Sequence, residues 1–332
     1  MMKRVLVTVF LSFLLCGITF SQTGGDKRAA FQFSFMPFMS TNGLQAKEYT
    51  NGVSFNLLSG LSKNENVFAF AGLTHIILND AKGFQFAGLG NYVGNDGKGM
   101  MFAGLGNWVQ KEYRGFQFAG LGNYTGSDGK GMQFAGLINI SKNYSGFQFA
   151  GLVNIAKKVK GVQFAGLLNI AESSDWPVAL VNIIKDGELG VALTYNEIGS
   201  VVVALRSGGK YTYGIVGIGY NHKAEGHSFV TTGGFGAHIH LTPWLMFNNE
   251  LTGETLDNFS KYVTFKLGYA FLPAFRINPH FELFGGPSIN YMQTDDPRNT
   301  NILPDKYIWR KYGDSKFQQV YLGYQVGVQY IF

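Results

Sequence analysis

The chain has 332 residues, including 45 glycines, 30 phenylalanines and 17 tyrosines, and only 14% of it is charged. An ordinary soluble domain carries about 25% charged residues, so this composition argues against one. The formal net charge of +6 includes Lys3 and Arg4 close to the N-terminus, and it gives no ground for a nucleic-acid surface.

Residues 1–21 read as a cleaved secretory signal. Lys3 and Arg4 precede an apolar run over 5–15, and Thr19, Phe20 and Ser21 precede Gln22. The only cysteine, Cys16, falls inside this leader behind a bulky Leu15, which does not suit a lipoprotein cleavage site. The mature chain then has neither a disulfide nor a thiol site. Residues 22–28 are expected to be flexible, and 29–332 to form one outer-membrane β-barrel. A first strand is expected over 29–38, where Phe31, Phe33 and Phe35 alternate with Gln32 and Ser34. A loop over 40–50 and a second strand over 52–59 follow.

Residues 67–184 repeat one phrase, Gly-Phe-Gln-Phe-Ala-Gly-Leu-Gly-Asn at 83–91, with a period of sixteen that shortens to fifteen. Each copy alternates with the two-residue period of a strand. One face carries Gln85, Asn91, Asn107, Gln117, Asn123, Gln133, Asn139, Gln148, Asn154, Gln163 and Asn169, with an alanine and a leucine in each copy. The other carries Phe84, Phe86, Phe102, Phe116, Phe118, Phe134, Phe147, Phe149 and Phe164. Three features favour one antiparallel strand plus one turn per copy. The connectors alternate between Asp-Gly turns (95–99, 127–131) and Tyr-containing ones (110–115, 141–146), a thirty-two-residue beat. Antiparallel pairing sets Gln against Asn and Ala against Leu. Two phenylalanines per coil would overfill the core of a narrow solenoid. The amide face then lines a lumen and the phenylalanine face meets lipid, because a belt this apolar does not face water. A strand of about ten residues, tilted near 40°, spans about 25 Å, the height of the apolar band of such barrels.

From 185 to 332 the phrase gives way to longer alternating runs at 189–196, 200–206, 211–221, 229–241, 244–252, 261–272 and 279–292. A last strand over 321–332 places Tyr330 and Phe332 on one face, and an aromatic strand ending in Phe resembles the assembly signal of outer-membrane barrels. The total predicts an all-β antiparallel transmembrane barrel of about 18 strands. An even count puts both termini on the periplasmic side, with the longest connections (40–50, 221–228, 293–316) outside. The alternative fold is a β-solenoid built from the repeats, followed by a smaller C-terminal barrel.

Candidate chemistry is sparse. His238 and His240 share a strand face at metal-ligand spacing, but no cysteine or carboxylate is placed to complete a site. His75 occupies the asparagine slot of the first repeat. Asp295, Asp296, Asp305 and Asp314 lie among Arg298, Lys306, Arg310, Lys311 and Lys316, without glycine-anchored calcium-loop spacing. Tyr307, Trp309 and Tyr312 make the same 293–316 loop a candidate contact for a surface ligand. Glycine pairs such as Gly233-Gly234 lack the following helix of a phosphate loop. No catalytic residue, cofactor or metal is expected, and no enzyme activity.

The Gly-x-Gln-x-x-Gly-Leu-x-Asn repeat resembles a largely uncharacterised family of Gram-negative surface-repeat proteins. The continuation over 177–185, Asn196-Glu197 and Ala204-Leu205-Arg206-Ser207-Gly208 resembles it too. The likeness covers roughly 51–220, with Ala179 standing where the repeat has glycine. It implies a surface or outer-membrane location and no residue-level activity. The expected partners are outer-membrane lipid and the barrel-assembly machinery. The expected function is passive passage of small solutes, and the alternative is a structural or adhesive surface protein without transport.

Overall fold

Strand pairing overturns the expectation of a single antiparallel barrel. Successive repeats pair in parallel with identical residues in register: Asn107 lies against Asn123, Gln117 against Gln133 and Phe118 against Phe134. Residues 50–184 therefore form a parallel β-solenoid of about 8 turns, and an 8-stranded antiparallel barrel follows. The computed structural model describes residues 27–224, 228–257, 263–295, 302–313 and 316–332. The expected signal peptide and residues 22–26 lie outside the described residues, while Lys27 and Arg28 already belong to the first strand.

In one coil, the strand Ala81–Ala87 runs into a two-residue turn at Gly88 and Leu89, and the strand Gly90–Val93 returns. Two glycine columns make this stacking possible. A Cβ on Gly104 would lie 2.1 Å from the carbonyl oxygen of Gly88 one coil earlier. Gly99 has φ of 125°, and a Cβ there would lie 2.0 Å from the oxygen of Gly83. Side chains are excluded at both places.

Each argument for antiparallel repeats has a different physical resolution. The thirty-two-residue beat is a large–small alternation inside the coil. The Tyr113 ring fills the space left by Gly97, and the Tyr144 ring fills that left by Gly129. The amides satisfy one another by stacking like on like, so no Gln–Asn pairing is required. The phenylalanines do not overfill the core because they face outward. Strict alternation also breaks at the Gly88-Leu89 turn, so Leu89 is exposed while Gln85, Ala87 and Asn91 are buried.

The strand Lys27–Met36 pairs in parallel with Tyr49–Asn56 and begins the stack. A short 3₁₀ helix, Gly43–Glu48, occupies the expected loop. There Lys27 bonds Glu48 at 2.6 Å and holds its carboxyl below the usual range.

The barrel strands are Glu188–Asn196, Ser200–Gly208, Thr212–Asn221, Ser228–His240, Leu245–Asp257, Val263–Arg276, Phe281–Thr294 and Phe317–Ile331. Each matches an expected strand, with ends shifted by a few residues. The first strand pairs with the last, Gly190 against Ile331 through Asn196 against Gln325, and closes the sheet. A short strand, Trp309–Tyr312, adds to the last one beyond that point. Within the unit 158–332, the end of the final coil lies against the second and third barrel strands. The Asn182 amide donates to Ser207 Oγ at 2.9 Å, and Thr212 Oγ1 donates to the Pro177 carbonyl at 2.7 Å.

Candidate functional site: barrel lumen and solenoid faces

Alternation along the barrel strands sorts residues by side. On Val263–Arg276, Phe265, Leu267, Tyr269, Phe271 and Phe275 point outward, while Thr264, Lys266, Ala270, Leu272 and Ala274 are buried inward. Tyr330 in the last strand and Phe332 just beyond its end are both exposed, and their rings meet edge to face at 5.4 Å.

An interior of eight strands is just wide enough for side chains to fill. Here they build polar layers. Arg206 meets Glu250 at 2.7 Å, donates to Gln329 Oε1 at 3.0 Å, and lies 4.0 Å above the Phe284 ring. Glu250 also accepts from Tyr213 Oη at 2.7 Å and from Gln325 Nε2 at 3.2 Å. Beside it, Arg276 bridges Glu188 at 2.9 Å and Glu282 at 3.6 Å, and Asn248 donates to Glu282 at 3.0 Å. A second layer joins Lys266 to Glu254 at 3.1 Å and to Glu197 at 3.7 Å. Asn196 and Ser200 both donate to Glu254, and Tyr321 and Asn290 to Glu197. Buried charges of this kind persist only when paired and hydrogen-bonded.

The wide-loop end is closed by apolar side chains. Ile302 and Leu303, from the connection before the last strand, cluster with Ile198, Leu256, Met292 and Phe317. Arg310 donates to Gln319, stacks 4.0 Å over Tyr307 and holds this connection to the rim. Asp296, Arg298 and Asp314 lie outside the described residues, as does His227. His238 is a wall residue: its Nδ1 contacts Asn248 Oδ1 at 2.7 Å and its ring stacks on Tyr213. Among the described residues no group of three or more His, Cys, Asp or Glu is arranged to hold a metal ion.

The repeat amides do not line a barrel lumen. Gln85, Asn91, Asn107, Gln117, Asn123, Gln133, Asn139, Gln148, Asn154, Gln163 and Asn169 are all buried inside the coils. Asn91 donates to Asn107 Oδ1, Asn107 to Asn123 and Asn123 to Asn139, each at 2.9 Å. Each also donates to a backbone carbonyl, as Asn107 does to Phe118 at 2.9 Å. Gln133 donates to Gln117 at 2.7 Å, and Gln148 to Gln133 at 2.8 Å. In the first coils His75 replaces the asparagine, and its Nε2 lies 3.4 Å from the buried carboxylate of Glu65.

The phenylalanines expected on lipid-facing barrel strands form outward rows on the coils instead. Phe86, Phe102, Phe118 and Phe134 stack at 4.8–5.0 Å with rings within 3° of parallel. They line an open, shallow groove of ≈ 610 Å³ together with Ala87, Gly104, Ala119 and Gly136. Phe84, Phe116 and Phe149 are exposed on the same sheet, with Phe147 and Phe164 half-buried.

Sequence reasoning missed the lumen charges. Their signal is a single charge flanked by apolar neighbours within an alternating run, as in Phe265-Lys266-Leu267. No family model matches this chain, and no curated protein matches it. Among solved structures, a designed transmembrane β-barrel aligns with 44% of this chain and 93% of its own, at 17% identity and a TM-score of 0.25.

Proposed function

We propose that the C-terminal barrel is inserted in a bilayer and anchors a structural or adhesive surface-repeat protein of a Gram-negative outer membrane. The observation that carries this reading is the sidedness of the barrel wall. The exposed outward residues include Leu193, Val203, Ile218, Leu251, Leu267, Leu283 and Val326, while Arg206, Glu250, Glu254, Lys266 and Glu282 are buried inside. A continuous apolar belt of this size, backed by eight long strands that close on themselves, suits lipid and does not suit water.

The filled lumen favours an anchor over a passive pore. Ion-paired layers and the Ile302–Leu303 plug occupy the path a solute would take. The reading assigns the protein no catalytic step. Export through the leader, and recognition of the strand carrying Tyr330 and Phe332 by the barrel-assembly machinery, belong to the same proposal.

Membrane extraction tests it together with planar-bilayer recording. The expected protein resists carbonate and urea extraction, migrates faster on gels when unheated, and gives no discrete conductance steps. Release by carbonate without a heat-dependent shift overturns membrane insertion. Reproducible ion-dependent steps overturn the anchor reading in favour of the pore.

A further inference from the structure

The outer wall of the barrel changes character at one place. On the second and third strands its outward positions include the large, exposed Val203 and Ile218. Near one end of the same strands Arg206 and Tyr213 face the lumen, so their neighbours Ser207, Thr212 and Gly214 face out. The last coil fills this patch. Besides the bonds of Asn182 to Ser207 and of Thr212 to Pro177, its backbone passes close over the wall. A Cβ on Gly214 would lie 2.1 Å from the Ala179 oxygen and 2.2 Å from that of Leu180. A Cβ on Gly233, in the next strand, would meet Leu180 Cδ2 at 3.5 Å. Trp176 of the same coil stacks on Tyr211 at 4.8 Å. Small and polar wall residues here receive protein, where the rest of the wall presents bulk to lipid.

This seat marks one end of the barrel. Glu188 pairs with Gly208 and Gly190 with Ile331, so the chain enters and leaves the closed sheet at the end that holds the seat. The strands there are joined by 209–211, 241–244 and 277–280. Each turn is closed by a backbone bond: Gly209 N to Thr212 O at 2.9 Å, Leu241 N to Leu245 O at 3.1 Å and Ile277 N to Phe281 O at 2.9 Å. The other end has one tight turn, 197–199, and the long connections 222–227 and 295–316. Bacterial outer-membrane barrels keep short turns on the periplasmic side and longer loops outside.

A chain that joins the wall at Glu188 reaches the outside only through the lumen or through lipid. The ion-paired layers around Glu250 and Glu254, with the apolar cluster of Ile302 and Leu303, fill the first path. Exposed Lys158, Lys160 and Asp175 on the last coils close the second, because charge is costly in hydrocarbon. We infer that residues 158–184 are seated on the periplasmic rim of the barrel, and that the repeats leading into them stay in the periplasm. What the repeats bind or brace is then a periplasmic component. The inference rests on the barrel insertion proposed above, and of the two roles named there it selects the structural one over adhesion outside the cell. Trp176 then joins Trp244 and Tyr330, all exposed, at the end of the barrel where amphipathic aromatics meet headgroups.

The test expresses the full chain in Gram-negative cells in a Cys16→Ser background, which leaves no other cysteine. Single Lys160→Cys, Leu167→Cys, Lys223→Cys and Lys306→Cys variants place a thiol at exposed sites, two on the last coils and two on the long connections. Cells receive a polyethylene-glycol maleimide too large for outer-membrane pores, before and after the outer membrane is permeabilised, and labelling is read as a gel shift. The expected result is a full shift of Lys223→Cys and Lys306→Cys on intact cells, and of Lys160→Cys and Leu167→Cys only after permeabilisation. Coil variants that shift on intact cells as fully as Lys306→Cys put the coils outside, which overturns the inference and leaves the barrel anchor standing. Protection of both connection variants in carbonate-resistant protein reverses the barrel and also overturns it. Carbonate-released protein removes barrel insertion itself, and the inference falls with it.

Discussion

Arg206→Met keeps a flexible stem in the barrel lumen but removes the guanidinium that meets Glu250 at 2.7 Å. Glu250 is then left buried with Tyr213 and Gln325 as donors and, among the described residues, no ion pair. Removing one partner of a buried pair costs about 3–5 kcal/mol. Losing the stack over Phe284 adds about 1 kcal/mol. With an m-value of about 2 kcal/mol/M, a combined loss of about 5 kcal/mol lowers the urea midpoint by about 2.5 M. The double variant Arg206→Met/Glu250→Gln removes both charges and is expected to be more stable than Arg206→Met alone, because no uncompensated carboxylate remains. The assay is tryptophan fluorescence of the vesicle-reconstituted protein across a urea titration. A double variant whose loss equals the sum of the two single losses refutes the reasoning. So does an Arg206→Met midpoint shift below about 0.5 M.

Asn107→Leu breaks the amide ladder at its middle, leaving the Asn91 donor and the Asn123 and Phe118 acceptors each short of one partner. At about 1–3 kcal/mol per unmet buried group, limited proteolysis should cut the coils while the barrel keeps its heat-dependent gel shift. Gly104→Ala places a methyl where only 2.1 Å separates it from a backbone oxygen, so it should open the coil stack, whereas Gly253→Ala, with 3.6 Å to its nearest atom, should be silent in the same assay. Burial pushes the phenols of Tyr113 and Tyr144 above their ordinary value. A phenol raised in the folded state contributes stability that is full below the unfolded value of about 10 and is lost as pH climbs beyond it. Absorbance at alkaline pH should therefore show these tyrosines ionising only together with loss of the coils. Early, reversible ionisation of both would contradict that.

Much of the barrel was legible because its strands are long and bounded by turns. Runs such as 261–272 name their own two faces, and the structure extends them by a few residues at most. The lumen charges were less visible, since Glu197 lies in a tight turn and only folds back onto Tyr321 and Lys266 in three dimensions. In the repeats, alternation separated the Gln and Asn positions from the Phe positions, and burial follows that division. It did not tell how the strands close. Alternation carried through Gly88 puts Leu89 on the amide face, but the chain turns at Gly88 and Leu89 is exposed. The Tyr113 and Tyr144 connectors suggested two kinds of barrel end, when their rings simply use the room above Gly97 and Gly129.

The feature that separates the two closures is self-complementarity of columns. In the solenoid the Asn, glycine and outer Phe columns meet their own kind one coil away, at the spacing of about 4.8 Å between strands, as Asn107 does with Asn123 and Phe118 with Phe134. Asparagine is both donor and acceptor, phenylalanine stacks on phenylalanine, and glycine passes glycine, so each column tolerates its own repetition. In the barrel the cross-strand partners differ: Arg206 faces Ile215, and Lys266 faces Met292. A sequence that repeats glycine at two fixed places in every copy is therefore informative. In an antiparallel sheet, Gly88, Gly104 and Gly120 would belong to strands running in opposite directions and would share no steric reason to lack a Cβ. In a parallel stack they share one, since each faces the backbone oxygen of the copy before it.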